Sequence, residues 1–198
     1  FEVCDKNFKK KIYSEISFST KLPKRKKYEL VIIATNSKER FKVAKKIINF
    51  NKVKSLILEK FLFNKLSEYS SFEKIIKKNK ITNINVNSWG HYIAKKINLK
   101  FNNGFEGIYK LRKKGLATNL IHILDLFYRL NKNKNFTIFS NKLIKLKSKR
   151  KGYYELGGEI NLNSKFGNLI IKDDSKKKHH TLILKNKKNI FTIKINMN

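Results

Sequence analysis

The chain has 198 residues, with 47 Lys and Arg against 14 Asp and Glu, so its formal net charge is +33. Hydrophobic residues make up 40% of it, which is enough for a core and excludes a wholly disordered basic tail. The sequence contains no run of about 20 apolar residues that could span a membrane. Its single cysteine, Cys4, excludes an intrachain disulfide and a cysteine-rich zinc module.

The first elements alternate between strand and helix patterns. The apolar run from Tyr28 to Ala34 predicts a buried strand, and a helix is predicted from Ser37 to about Asn49. Asn36 is the predicted N-cap of that helix, with Glu39 at the reciprocal capping position. These two elements form one β-α step.

The next segment, from Val53 to Tyr69, favours a helix because Val53, Ile57 and Phe61 recur every four residues. A further helix is predicted to begin at Ser70 or Ser71, with Glu73 as its capping partner. Residues 81–87 have strand character, and Ser88 is a plausible cap for a helix over residues 89–101.

A break at residues 102–107 precedes a long apolar helix from Leu116 to Leu130, which we expect to be central to the core. Residues 131–135 are a candidate domain boundary, which divides the chain into an α/β RNA-binding region, 1–130, and a β-rich region, 131–198. The latter contains strand patterns at residues 136–147, 153–162 and 166–172, and a predicted hairpin of 181–185 with 190–195. The predicted fold class is α/β (α+β), with a helix-rich amino-terminal two-thirds, a small sheet and a β-rich carboxyl third.

The segment GFEGIYKLRKK, Gly104 to Lys114, places a Gly-x-x-Gly turn between two predicted helices. It resembles the nucleic-acid-binding loop of KH domains, in which glycines let the backbone approach phosphates closely. The resemblance implies RNA contacts by residues Gly104, Gly107, Lys110, Arg112, Lys113 and Lys114. Glu106 departs from the pattern because its carboxylate would repel phosphate.

A second basic segment, IKLKSKRKGYYELGG at Ile144 to Gly158, is similar to the carboxyl domain of KH-type small-subunit ribosomal proteins. Together with KLRKKG at Lys110 to Gly115, it also resembles the ribosomal protein that organises the small-subunit head, whose later helices have no counterpart here. Tyr153 and Tyr154 either stack on an unpaired base or pack across strands. The further residues predicted to bind RNA are Lys24, Arg25, Lys26, Lys27, Lys145, Lys147, Lys149, Arg150 and Lys151.

Enzyme motifs are scarce. Gly107, Ile108 and Tyr109 spell the opening of the GIY-YIG nuclease family, but no YIG sequence follows at the required distance. His179 and His180 point to opposite faces if they lie in a strand, so they would not share a metal ion. We therefore expect no catalytic site, no metal and no cofactor.

These observations predict a structural protein of the small ribosomal subunit. Its expected partners are rRNA and neighbouring ribosomal proteins, with neither a membrane nor a small-molecule substrate. Lysines outnumber arginines by 47 − 5 = 42 to 5, which indicates an A/T-rich gene and favours the mitochondrial matrix or, alternatively, the plastid stroma. An intron-encoded RNA-processing or nuclease protein is the alternative function, and a nucleoid DNA-binding protein is the third.

Overall fold

A computed structural model describes residues 2–5, 14–97, 104–112, 115–131, 134–148, 152–174, 179–187 and 189–195. The chain forms two compact units, Phe1–Asn87 and Ser88–Asn198. The boundary predicted near residue 131 lies within the second unit. None of the described helices is long and apolar enough to cross a membrane.

The first unit contains a three-stranded parallel sheet with strand order β3-β4-β5. Two short parallel strands precede it. The elements of this unit are β1 (Glu2–Cys4), β2 (Ser17–Ser19), β3 (Lys27–Ile33), α1 (Ser37–Phe50), β4 (Lys52–Glu59), α2 (Leu66–Lys78) and β5 (Asn83–Asn87). The two β-α-β steps place the carboxyl ends of β3, β4 and β5 at the same edge of the sheet.

Helix α1 confirms the predicted cap, since the Asn36 side chain accepts a hydrogen bond from the Glu39 backbone N–H at 3.1 Å. One face of α1 buries Ala44 and Ile48 in the same core as Leu56 and Leu58 of β4. Burial of this apolar face explains why the helix is stable although its other face is strongly basic.

The helix predicted at residues 53–69 is wrong. Residues 52–59 form β4, in which Leu56 and Leu58 are fully buried and the intervening Ile57 is only partly buried. Parallel pairing with β3 on one side and β5 on the other satisfies the backbone of β4, so the sheet overrides the four-residue spacing. Helix α2 begins at Leu66 instead of residue 70, with the Glu68 carboxylate accepting from the Lys65 backbone N–H at 3.3 Å.

The second unit contains a six-stranded sheet with strand order β11-β10-β6-β9-β8-β7. The pair β6-β9 is parallel, and the other pairs are antiparallel. The elements of this unit are α3 (Trp89–Ile97), β6 (Phe105–Arg112), α4 (Leu116–Leu130), β7 (Thr137–Lys147), β8 (Tyr154–Ser164), β9 (Gly167–Asp174), β10 (His180–Lys185) and β11 (Ile190–Ile195).

Helix α4 is central to the core of the second unit, as its apolar sequence predicted. Ile123, Leu126 and Phe127 are fully buried and share one cluster with Leu169 of β9 and Leu182 of β10. Helix α3 packs beside α4 and adds Trp89, Ile93 and Ala94 to the edge of this cluster. The β10-β11 hairpin is also confirmed.

The segment expected to be a turn between two helices is instead β6, a strand near the middle of the sheet. Gly107 lies within β6, where an added Cβ would approach the side chains of Leu169 and Leu184 to within 2.8 and 2.9 Å. The helix-loop-helix interpretation was therefore wrong, because the alternating residues of this segment pair with β9 and β10. The mixed α/β class is confirmed. The description of the amino-terminal two-thirds as helix-rich is corrected, because six of the described strands precede residue 131.

Candidate functional site

Polar residues gather at the carboxyl edge of the sheet in the first unit. Asn36 follows β3, Glu59 ends β4, Lys60 comes next, and Asn87 ends β5. One Glu59 oxygen accepts from Asn87 Nδ2 at 2.9 Å, and the other accepts from the Lys60 backbone N–H at 3.0 Å. Glu59 therefore links the ends of two neighbouring strands and fixes the backbone from which the Lys60 side chain extends.

Arg40 of α1 holds the loops on the same edge. Its side chain is buried, and its guanidinium donates to the carbonyl oxygens of Thr35, after β3, and Leu62, after β4. Burial lowers the pKa of Arg40, while the nearby negative charge of Glu59 opposes this shift. A buried cation that binds two loop carbonyls positions the backbone around Asn36 and Lys60.

In the second unit, α3 and α4 bring together Ser88, His122 and Asp125. The Ser88 hydroxyl donates to Asp125 Oδ2 at 2.8 Å and accepts from the Gly90 backbone N–H at 3.3 Å, which confirms Ser88 as the cap of α3. Asp125 also forms an ion pair with Arg129, with Nε at 2.8 Å from Oδ1. Ser88 Oγ also lies 3.2 Å from His122 Nδ1, so one hydroxyl contacts two side chains of α4.

The imidazole of His122 contacts the backbone of α3 and an aromatic ring. Its Nδ1 accepts from the Trp89 backbone N–H at 3.1 Å. The His122 ring stacks on Trp89 with centroids 4.9 Å apart, and Trp89 stacks on Tyr109 at 5.9 Å. Burial raises the pKa of the Tyr109 phenol. The stack joins α3, β6 and α4 through three rings.

A cavity of about 410 Å³ lies at one end of the six-stranded sheet. It is lined by residues including Gly104, Phe105, Lys165, Phe166 and Lys185. In the described part of the chain, no group of three His, Cys, Asp or Glu side chains could hold a metal ion.

The described residues that were predicted to bind RNA belong to several segments of the two units. Lys24, Arg25 and Lys26 are exposed before β3, and Lys27 is the first residue of that strand. Lys26 pairs with Glu2 at 3.0 Å, and Lys24 lies over the Phe50 ring at 5.2 Å.

In the second unit, Gly104 precedes β6 with φ +83°, Gly107 faces the core, and Lys110 points to the other face of the sheet. Lys145 and Lys147 are exposed on β7, and Lys145 Nζ lies 3.6 Å from the centre of the Tyr154 ring. Arg112 ends β6. Lys113, Lys114, Lys149, Arg150 and Lys151 lie outside the described residues.

Five residues were not predicted from the sequence as part of a site: Glu59, Lys60, Asn87, His122 and Asp125. The first two were hidden because β4 was interpreted as a helix, so its end was not recognised as the end of a parallel strand. Asn87 does end a predicted strand, but the sequence does not show the parallel order that makes such ends meet. His122 and Asp125 recur on one face of α4, and only the packing of α3 shows what they contact.

No known protein family and no curated protein matches the sequence. Solved structures match the fold: a probable oxidoreductase named yhhX covers 96% of this chain, with a TM-score of 0.68 and 18% identity. A dehydrogenase from Clostridium difficile covers 84%, with a TM-score of 0.63 and 16% identity. Biliverdin reductase from Synechocystis, solved with biliverdin and NADP+, covers 84%, with a TM-score of 0.60 and 12% identity.

The chain spans 62%, 57% and 60% of the lengths of these three proteins, respectively. Their consistent oxidoreductase fold overturns the identification as a ribosomal protein, with rRNA and ribosomal proteins as partners, and also the nuclease alternative. The same finding contradicts the expectations that the chain is no enzyme and has no small-molecule substrate. The error arose because a net charge of +33 describes the surface, whereas the fold is determined by the apolar residues of the two cores. The chain is thus similar in fold to solved oxidoreductases, one of which was determined with NADP+.

Proposed function

We propose that this chain is part of an oxidoreductase that binds a nicotinamide dinucleotide at the carboxyl edge of β3-β4-β5. The observation that carries the proposal is the likeness of fold to oxidoreductases, including one solved with NADP+. In open parallel sheets, ligands bind outside the carboxyl ends of the strands. Asn36, Glu59, Lys60 and Asn87 all lie there.

The side chains at this edge fit one part of such a cofactor. Lys60 offers a cation, Asn36 and Asn87 offer amide groups, and Glu59 offers a carboxylate, which suit the hydroxyls and carboxamide of a ribose-nicotinamide group. The pyrophosphate of such a cofactor is usually bound by a glycine-rich loop, and this chain contains no glycine before Gly90. The residues of the first unit therefore fit the nicotinamide end, and when bound this group supplies or accepts a hydride.

Titration with NADH and NADPH tests the proposal, with binding followed by nucleotide fluorescence in about 0.3 M salt to screen general attraction to the basic surface. Lys60→Met should weaken binding about tenfold, because one charge-assisted hydrogen bond contributes about 1.5 kcal/mol. Lys52→Met is the matched control, since Lys52 is exposed at the opposite end of the same strand. Inorganic diphosphate should compete poorly. Absence of saturable binding, or an equal loss in the control variant, would refute the proposal.

The source of the gene is a separate proposal. The excess of lysine over arginine is independent of fold and still favours an A/T-rich genome. We propose a mitochondrial or plastid location on this ground. Fractionation of cells with an antibody against the chain tests it, and recovery only from the cytosol would contradict it.

A further inference from the structure

Among its own described elements, the second unit has none that covers one face of the six-stranded sheet. Helices α3 and α4 contribute to the core on the other face, together with Tyr109, Leu169 and Leu182. Because side chains alternate along a strand, the residues between these core positions point to the uncovered face. They form two adjacent rows with different chemistry.

One row is apolar. Ile183 of β10 is opposite Ile108 of β6, which is opposite Ile170 of β9, so three neighbouring strands contribute one isoleucine each. We call these three residues the isoleucine row. All three are partly exposed, and Thr192 and Asn161 follow at its two ends. An apolar row of this kind on an open face is a surface that a partner can bury.

The adjacent row is basic. The residues that follow one another across the strands are Lys194, Thr181, Lys110, Lys172, Glu159 and Lys142. We call the four lysines the lysine row. Lys110 is beside Lys172 on the neighbouring strand, and the one carboxylate of the row, Glu159, is shared between Lys172 and Lys142, so the row keeps an excess of positive charge. In the described part of the chain, these lysines make no ion pair.

Charge argues against a second copy of this chain as the partner. Among the described side chains, the face also carries Lys185 and Glu106, so they include five lysines and two glutamates, and 5 − 2 leaves a net charge of +3. Two such faces would repel each other. A nucleic-acid backbone would neutralise the lysines, but its phosphates would leave the isoleucine row without an apolar contact.

We propose that this face binds an acidic amphipathic helix of a partner protein, laid across the strands. Neighbouring strands are about 4.8 Å apart, and one turn of an α-helix rises about 5.4 Å. Apolar residues at i, i+4 and i+7 of such a helix therefore match the isoleucine row. Acidic residues along the adjacent flank of the helix meet the lysine row. This interaction goes beyond the proposed function and does not depend on it.

The first test uses a fluorescent synthetic helix of about five turns, with leucines along one face and glutamates along one flank. A scrambled peptide of the same composition is the control for general attraction to a basic protein. Fluorescence anisotropy in about 0.15 M salt should show the amphipathic peptide binding at least about tenfold more tightly. Equal affinity for both peptides would overturn the proposal.

The second test locates the binding surface. Lys110→Glu with Lys172→Glu should weaken peptide binding at least about tenfold. Lys42→Glu with Lys45→Glu changes the net charge equally on exposed positions of α1, and it should weaken binding less than about threefold.

A third variant, Ile108→Thr with Ile170→Thr, tests the apolar contact and should also weaken binding about tenfold. Circular dichroism establishes that each variant is folded. Equal losses in the two lysine pairs would overturn the proposal, as would a dimer of the free protein that the isoleucine variant dissociates.

Discussion

Gly90 sets the distance between α3 and α4. An added Cβ would lie 2.2 Å from the His122 carbonyl oxygen and 2.8 Å from the Leu126 backbone nitrogen. Both atoms belong to the backbone of α4, so no side-chain rotation can relieve the contact. The same close approach brings the Trp89 backbone N–H to His122 and the Ser88 hydroxyl to Asp125.

We predict that Gly90→Ala destabilises the second unit by about 3 kcal/mol, because the two helices must move apart. Urea unfolding measures the change. Gly152→Ala is the control, since its Cβ meets nothing within 4 Å and only the strain of φ +80° remains, at about 1 kcal/mol. Equal losses for the two variants would show that the helices separate without cost.

Glu155 of β8 binds the first turn of α4. It accepts from the Ala117 backbone N–H at 2.7 Å and from the Thr118 hydroxyl at 2.5 Å. Burial alone would raise the pKa of Glu155, but the hydrogen bonds from Thr118, Leu156 and Ala117 lower it below its ordinary value of 4.5. A carboxylate at a helix N-terminus is also favoured by the helix dipole.

Glu155→Gln should therefore cost about 1 kcal/mol at pH 7. Because the folded-state pKa is lowered, the stability that the ionised carboxyl contributes is complete above pH 4.5 and is lost as pH falls through the folded-state pKa. Urea unfolding at several pH values should show the wild type and the variant converging in acid. Glu159→Gln on the same strand should change stability by less than about 0.5 kcal/mol. A difference that persists unchanged at low pH would contradict this account.

Among the elements, β4 has a sequence pattern that fits either a helix or a strand. Leu56 and Leu58 are fully buried, whereas Ile57 between them is partly buried. Leu58→Ala should cost about 3 kcal/mol and Ile57→Ala about 1 kcal/mol, because a strand alternates its faces. Chemical denaturation of the two variants measures the difference. Similar losses would indicate that both faces of β4 are covered.

Elements with a local signal were predictable from the sequence. Asn36 and Glu39 marked the start of α1, the apolar run marked α4, and the alternation of residues 190–195 marked β11. Residues 105–112 also carry a local strand signal, because Phe105, Tyr109 and Leu111 alternate with polar residues, but the Gly-x-x-Gly spacing was given more weight. The Gly-x-x-Gly spacing was a chance feature of a strand.

The candidate site was less predictable than the fold. Glu59, Lys60 and Asn87 meet only because β3, β4 and β5 are parallel neighbours in the sheet. The sequence of a single strand does not determine which strands are its neighbours. The many lysines, by contrast, are evident in the sequence and were interpreted as an RNA-binding surface. They carried information about charge but none about the chemistry of the site.

For the whole molecule, the net charge of +33 opposes the compact state. Four ion pairs are present among the described residues, and side chains in all of them remain partly in water. Raising salt from about 0.05 to about 0.5 M should therefore raise the melting temperature by screening self-repulsion. Lys42→Glu with Lys45→Glu should reduce this dependence. A melting temperature that is constant across this range would show that the charges are too far apart to matter.

The order of strands in the second unit also affects how the chain folds over time. β6 lies between β9 and β10, so both of its neighbours are synthesised long after it. The meander β7-β8-β9 has only short connections and can form first, whereas β6 must wait for distant partners and close long loops. We expect a slow folding reaction for this unit, with the backbone amides of β8 protected from hydrogen exchange earlier than those of β6. During that interval, a nascent chain would expose the edge of β9 to pairing with other chains.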